Sequence, residues 1–227
     1  MPQPHFPQRQ SGFTLIEIAI VLVIIGLLLG GILKGQELIT SARVRNIIAQ
    51  LDGTKAAFFG FQDRYRALPG DFTAATTQIT GATQIGDGDG QIEAPTESIA
   101  VWDHLSHAGF INGTFVFNAV ESAATTPNNP YGGRLQLIND AVYADTAAAT
   151  ARINLKTGPQ IPVNILAEID RKIDDGDALR GNMRFSAYAG GGAAPVAANC
   201  YDTAAGATNG EWLAGNGQAN CGAAILF

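Results

Sequence analysis

Glu17 is the first residue whose position asks for a chemical reason. It stands inside an almost unbroken apolar run, SGFTLIEIAIVLVIIGLLLGGIL, at residues 11–33. A charged side chain at a bilayer centre costs roughly 2.5–3.5 kcal/mol on insertion scales, so such a carboxylate is a functional candidate by default. The bland alternative is a helix-end glutamate reaching back to lipid headgroups. A second group lies in Ile85-Gly86-Asp87-Gly88-Asp89-Gly90-Gln91-Ile92-Glu93. Asp87, Asp89 and Glu93 offer the hard oxygen ligands that calcium takes, and the glycines permit a tight loop. Against the EF-hand template the first ligand position holds Ile85 and the closing glutamate is missing, so a plain Asp-Gly turn competes with the metal. Asp174, Asp175 and Asp177 around Gly176 pose the same choice and also suit a helix stop. His104 and His107, three apart, would share a helix face. Zinc needs a third and a fourth ligand; none is apparent, and surface histidines are expected. There is no G-x-S-x-G motif and no phosphate loop. The chain reads as no enzyme, with calcium the cofactor worth testing.

The elements that must carry these residues follow from periodicity. Phe13 to Leu33 would make about 31 Å of helix, close to a bilayer's hydrocarbon core, so 13–33 reads as one membrane span. No proline occurs between Pro7 and Pro69. Beyond Lys34, the residues Val44, Ile47, Ile48, Leu51, Phe58, Phe61, Tyr65 and Leu68 recur at helical spacing, with Arg43, Arg45, Asn46, Gln50, Asp52, Gln62 and Arg66 opposite. One helix over 13–66 is therefore expected, apolar in its first half and amphipathic in its second. Leu68-Pro69-Gly70-Asp71 would end it. Further helices are expected at about 97–108, with Thr96 as N-cap, and 162–174, with Pro162 in the first turn. Strands are expected at Thr114–Asn118, Arg134–Ile138, Arg152–Lys156 and Met183–Tyr188. The GGGAAPVAA stretch reads as a flexible connection. The division is thus 1–12 a polar leader, 13–66 the helix, and 67–227 an α+β head with a small antiparallel sheet.

Composition limits the partners. The formal net charge is −6, with charged residues at 15%. That balance argues against a broad nucleic-acid surface. Cys200 and Cys221 are the two cysteines. Downstream of a membrane segment such a pair reads as one disulfide; two free buried thiols would be the cytosolic alternative.

Gly12 followed by Phe13-Thr14-Leu15-Ile16-Glu17 and a long apolar helix resembles the signal of type IV pilins and of type II secretion pseudopilins. The resemblance implies cleavage between Gly12 and Phe13 by prepilin peptidase and methylation of the new Phe13 amine. It implies a pilin-like fold and a structural subunit of a type IV pilus (fimbrium) or related filament. Partners would be the peptidase, other pilin subunits, the inner-membrane assembly platform and, before assembly, membrane lipid. The head would be periplasmic before assembly, and the filament extracellular or periplasmic afterwards. Glu17 would neutralise the amine of an adjacent subunit. The cut precedes the apolar helix, whereas an ordinary secretory signal is cut after a shorter one. Tyr65–Asp71 and Glu168–Gly176 are similar to stretches of some pilin-like heads, as is the cysteine pair near the C-terminus. Many major pilins carry a proline within the N-terminal helix, whereas this helix has Gly26, Gly30, Gly31 and Gly35.

Charge around the span disagrees with that orientation. Arg9 precedes it, while Lys34, Arg43 and Arg45 follow, which by the positive-inside rule would leave the head in the cytoplasm. The signal and the cysteine pair favour the opposite. A pseudopilin of a secretion system and a single-span periplasmic binding protein are the alternatives.

Overall fold

The structure, a computed structural model, describes residues 12, 14–146, 148–203 and 210–227. Its longest element is α1, Leu15–Tyr65. The chain divides into two compact units, Met1–Ala42 and Arg43–Phe227. In the first, the apolar stretch of α1 has a mean hydropathy of 2.9 and none of it is buried. Large aliphatic side chains such as Ile16, Leu22, Leu27 and Leu33 stand exposed. A helix apolar on every side is suited to hydrocarbon or to a bundle of its own kind, and not to water.

The second unit begins inside α1, at Arg43, and not after it at residue 67. From there Val44, Ile47, Leu51, Thr54, Ala57, Phe58 and Phe61 are buried, a stripe at spacings of three and four. The helix stops where Leu68-Pro69 follows, with Arg66 already left-handed at φ 55°. A single turn, α2 (Ala75–Gln78), leads to α3 (Thr96–His107) and the head then alternates β1 (Gln136–Asp140), β2 (Arg152–Lys156), α4 (Val163–Ile173), β3 (Met183–Phe185), α5 (Ala197–Cys200) and β4 (Ala223–Leu226). Every strand pair is antiparallel and the order is β1-β2-β4-β3. Leu137, Leu155, Ile225 and Met183 lie opposite one another across all four strands and are buried in one continuous core with α1, α3 and α4. The fold is α+β, a long N-terminal helix with a small antiparallel sheet in the head.

Several local expectations change. Thr114–Asn118 forms no strand: the Phe115 amide turns to the Ser106 hydroxyl at 3.2 Å in place of a ladder partner. The strand expected at Arg134–Ile138 starts two residues later, because the Arg134 and Leu135 amides donate to Gly190 and Pro127. Met183–Tyr188 ends at Phe185, and Ser186 donates to Gly222. Pro95, not Thr96, occupies the N-cap of α3. Ala197 and Ala198, the end of the supposed flexible connection, open the short helix α5. Cys200 and Cys221 are joined, with Cα atoms 5.8 Å apart.

Candidate assembly site and acidic loops

At the N-terminus Gly12 is exposed, with open space where a side chain would stand. Phe13 lies outside the described residues. Thr14 and Glu17 bond each other reciprocally. Glu17 Oε2 accepts the Thr14 amide and the Thr14 hydroxyl, both at 2.8 Å, and the Glu17 amide donates to Thr14 Oγ1 at 3.3 Å. This is a capping box: threonine and a glutamate three residues on satisfy donors that the first helical turn leaves without partners. The Thr-x-x-Glu spacing ahead of an apolar run carries that signature, so this role of Glu17 was readable from sequence and was missed.

Residues 7–33 match the family model described as the prokaryotic N-terminal methylation motif. The chain carries the type IV pilin and pseudopilin signal. No curated protein and no solved structure matches the chain. A pilin-type signal marks a substrate of prepilin peptidase, anchored in the membrane before it assembles with other pilins, and points to a structural protein in place of an enzyme. The match stops at Leu33, so what the head does must be read from its own residues.

In the head the glycine-rich loop is organised around Asp71, which lies outside the loop in sequence. Asp71, next to the end of α1, is buried. Its Oδ1 accepts the amides of Gly88 at 2.5 Å and Asp89 at 3.1 Å, and its Oδ2 that of Gly90 at 2.9 Å. Gly86 passes so close that a Cβ there would meet the Asp71 Cα at 2.2 Å. Asp71, Asp87 and Asp89 each bring one carboxylate oxygen within 4.8 Å of the others. Glu93 is not among them; its amide donates to Glu97 at 3.0 Å, and Glu97 also takes the Asp87 amide at 3.1 Å. Burial raises the pKa of both Asp71 and Glu97. Asp87 and Asp89 each accept the amide two residues on, which is the turn habit of aspartate. Asp71 itself is the anion that these amides surround, so a cation here would compete for oxygens already bonded.

The second acidic group closes α4. Asp170 is fully buried and its Oδ2 accepts the Trp212 indole N–H at 2.6 Å. Burial pushes its carboxyl up to about 6, against the pull of Trp212 and of the Gly176 backbone, and Asp174 and Asp175 push it further.

The two histidines part company, which corrects the expectation that both are surface groups. His104 is fully buried. Its Nδ1 accepts the Gly70 amide at 2.9 Å, and its Nε2 lies 2.8 Å from the Gln84 carbonyl. His107 stays partly exposed, with Nδ1 3.0 Å from Asp103 Oδ1. Residues Glu97 to Leu105 of α3 are all buried. An element covered on every side hides which polar residue faces a partner, so periodicity could not have found His104.

Proposed function

We propose that this chain is a structural subunit of a type IV pilus or related filament, cut by prepilin peptidase between Gly12 and Phe13 and methylated on Phe13. What carries the reading is the match over residues 7–33 laid on a helix whose apolar stretch is entirely uncovered. In the membrane that surface meets lipid; in a filament it meets the same helix of neighbouring subunits. The head, with its Cys200–Cys221 bridge, stands on the side away from the cytoplasm, where disulfides persist.

Glu17 supplies register. After cleavage each Phe13 amine is a positive charge in an apolar bundle, and Glu17 lies roughly 6 Å along the axis from it. Pairing with the amine of a neighbouring subunit removes two isolated charges from a low-dielectric site, where breaking one partner costs about 3–5 kcal/mol. Until then the Thr14 box keeps the carboxylate satisfied. The assembly platform and sibling pilins are the remaining partners. Mass spectrometry of the mature protein tests the processing: an N-methylated Phe13 terminus is expected, and an intact Met1 refutes it. Glu17→Ala should still be cut and still reside in the membrane, yet fail to enter filaments. Normal incorporation refutes the register role.

A further inference from the structure

We propose that Asp170, Asp174 and Asp175 bind one calcium ion at the end of α4, in a site separate from the Asp87–Glu93 loop. One carboxylate oxygen from each residue lies within 4.8 Å of the other two. Ligands on one calcium ion, each at about 2.4 Å, are separated by at most about 4.8 Å, a condition that the three carboxylates meet.

Among the described residues, each of the three carboxylates has one oxygen bound to a protein donor and a second left over. Asp170 gives Oδ2 to Trp212 at 2.6 Å; its Oδ1, fully buried, makes no hydrogen bond of normal geometry among the described residues, although the Gly176 backbone pulls on the carboxylate. Asp174 gives Oδ2 to the amides of Asn182 and Met183, the latter at 2.7 Å. Asp175 gives Oδ1 to the Asp177 amide at 2.9 Å. These bonds fix the orientations of the three side chains. In the Asp71 loop, by contrast, both oxygens of the buried carboxylate are consumed. Buried polar atoms without a partner are uncommon in native proteins, and an unseen ion is one of the standard reasons for one.

No protein cation fills the role among the described residues. Arg171 Nε donates to the Ala167 carbonyl at 2.9 Å, Lys172 pairs with Glu168 at 2.6 Å, and Arg180 lies 3.8 Å from Asp177. Three basic side chains within a few residues of the cluster are all engaged elsewhere. Gly176, at φ 82°, lets the chain reverse directly after Asp175. All-oxygen donors with water completing the shell suit calcium, whereas zinc favours nitrogen and sulfur and magnesium demands stricter geometry.

The test uses terbium, a luminescent substitute for calcium, with the full chain in mild detergent. Trp212 lies against Asp170 and sensitises a bound terbium ion under indole excitation. Terbium emission that calcium displaces is expected, together with a melting temperature raised by calcium. Asp175 is exposed, so Asp175→Asn keeps the fold and should weaken binding at least about tenfold by removing one ligand charge. Asp89→Asn should bind as the parent does. Absence of calcium-sensitive emission overturns the site. So does unchanged binding by Asp175→Asn, or a loss in Asp89→Asn alone.

Discussion

His104 makes the head acid-labile in a way that can be worked out from its two hydrogen bonds. The Gly70 amide can only donate and the Gln84 carbonyl can only accept, so Nδ1 is bare and Nε2 carries the proton. A second proton on Nδ1 would face the Gly70 N–H. Burial lowers the His104 pKa from its usual 6.5; Asp103 opposes the shift, and His107 adds to it. A depressed folded value contributes stability that is fully present above the unfolded value and lost as pH falls through the folded one. His104→Phe keeps an aromatic ring against Phe61, which lies stacked at 6.2 Å, but orphans one amide and one carbonyl. At about 1–3 kcal/mol for each of the two buried groups, the variant should lose roughly 2–6 kcal/mol near neutral pH. Urea titration in mild detergent, followed by the fluorescence of Trp102 and Trp212, reads the difference, since both indoles lie in the head core. Asp71 and Glu97, raised by burial, move stability the other way on acidification, and subtracting the two profiles cancels them. The gap between parent and variant should narrow as pH falls from about 7.5 to about 5. A constant gap, or a variant as stable as the parent at neutral pH, refutes the reasoning.

Three further outcomes follow from other contacts. The Cys200–Cys221 bridge spans a sequence separation of 21, so Cys221→Ser should cost about 3 kcal/mol in the same titration; an unmoved urea midpoint counts against it. Gly86→Ala would drive a Cβ to 2.2 Å from the Asp71 Cα, where backbone cannot yield, and should lose at least about 2 kcal/mol. Gly90→Ala meets open space but sits at φ 87° and should lose only about 1–2 kcal/mol; thermal melts that rank the two the other way refute the loop geometry. Glu17→Gln retains an oxygen for Thr14 and so keeps the helix cap while removing the charge. Cleavage should be unchanged and filament entry lost; normal entry would mean that capping alone explains the residue.

What could be read from sequence divides along physical lines. The two halves of α1, the bulk of α3 and α4, and β2 at Arg152–Lys156 were all legible from the spacing of their apolar residues, even where, as in β2, the intervening Asn154 and Lys156 are buried as well. β4 was not. Ala223-Ala224-Ile225-Leu226 is buried at every position between β2 and β3, and a central strand with no exposed face has no alternation to show. The Asp71 contribution to the glycine-rich loop was hidden for a different reason. Its partners lie 17 to 19 residues away, and nothing local marks a carboxylate as the anion around which a distant loop folds.

Glu17 is the opposite case, since its Thr-x-x-Glu capping pattern lies within four residues and is fully local. The capping box and the proposed pairing with a neighbour's amine would draw on the same carboxylate at different stages. Capping lets the subunit carry an ionised group in an apolar helix, since the first-turn donors and the carboxylate satisfy each other. On that proposal, pairing would need the carboxylate offered to an amine of the next subunit, and the strength of the Thr14 contact would set how readily the exchange occurs. On that proposal Thr14 would belong to the assembly chemistry, although its hydroxyl carries no charge.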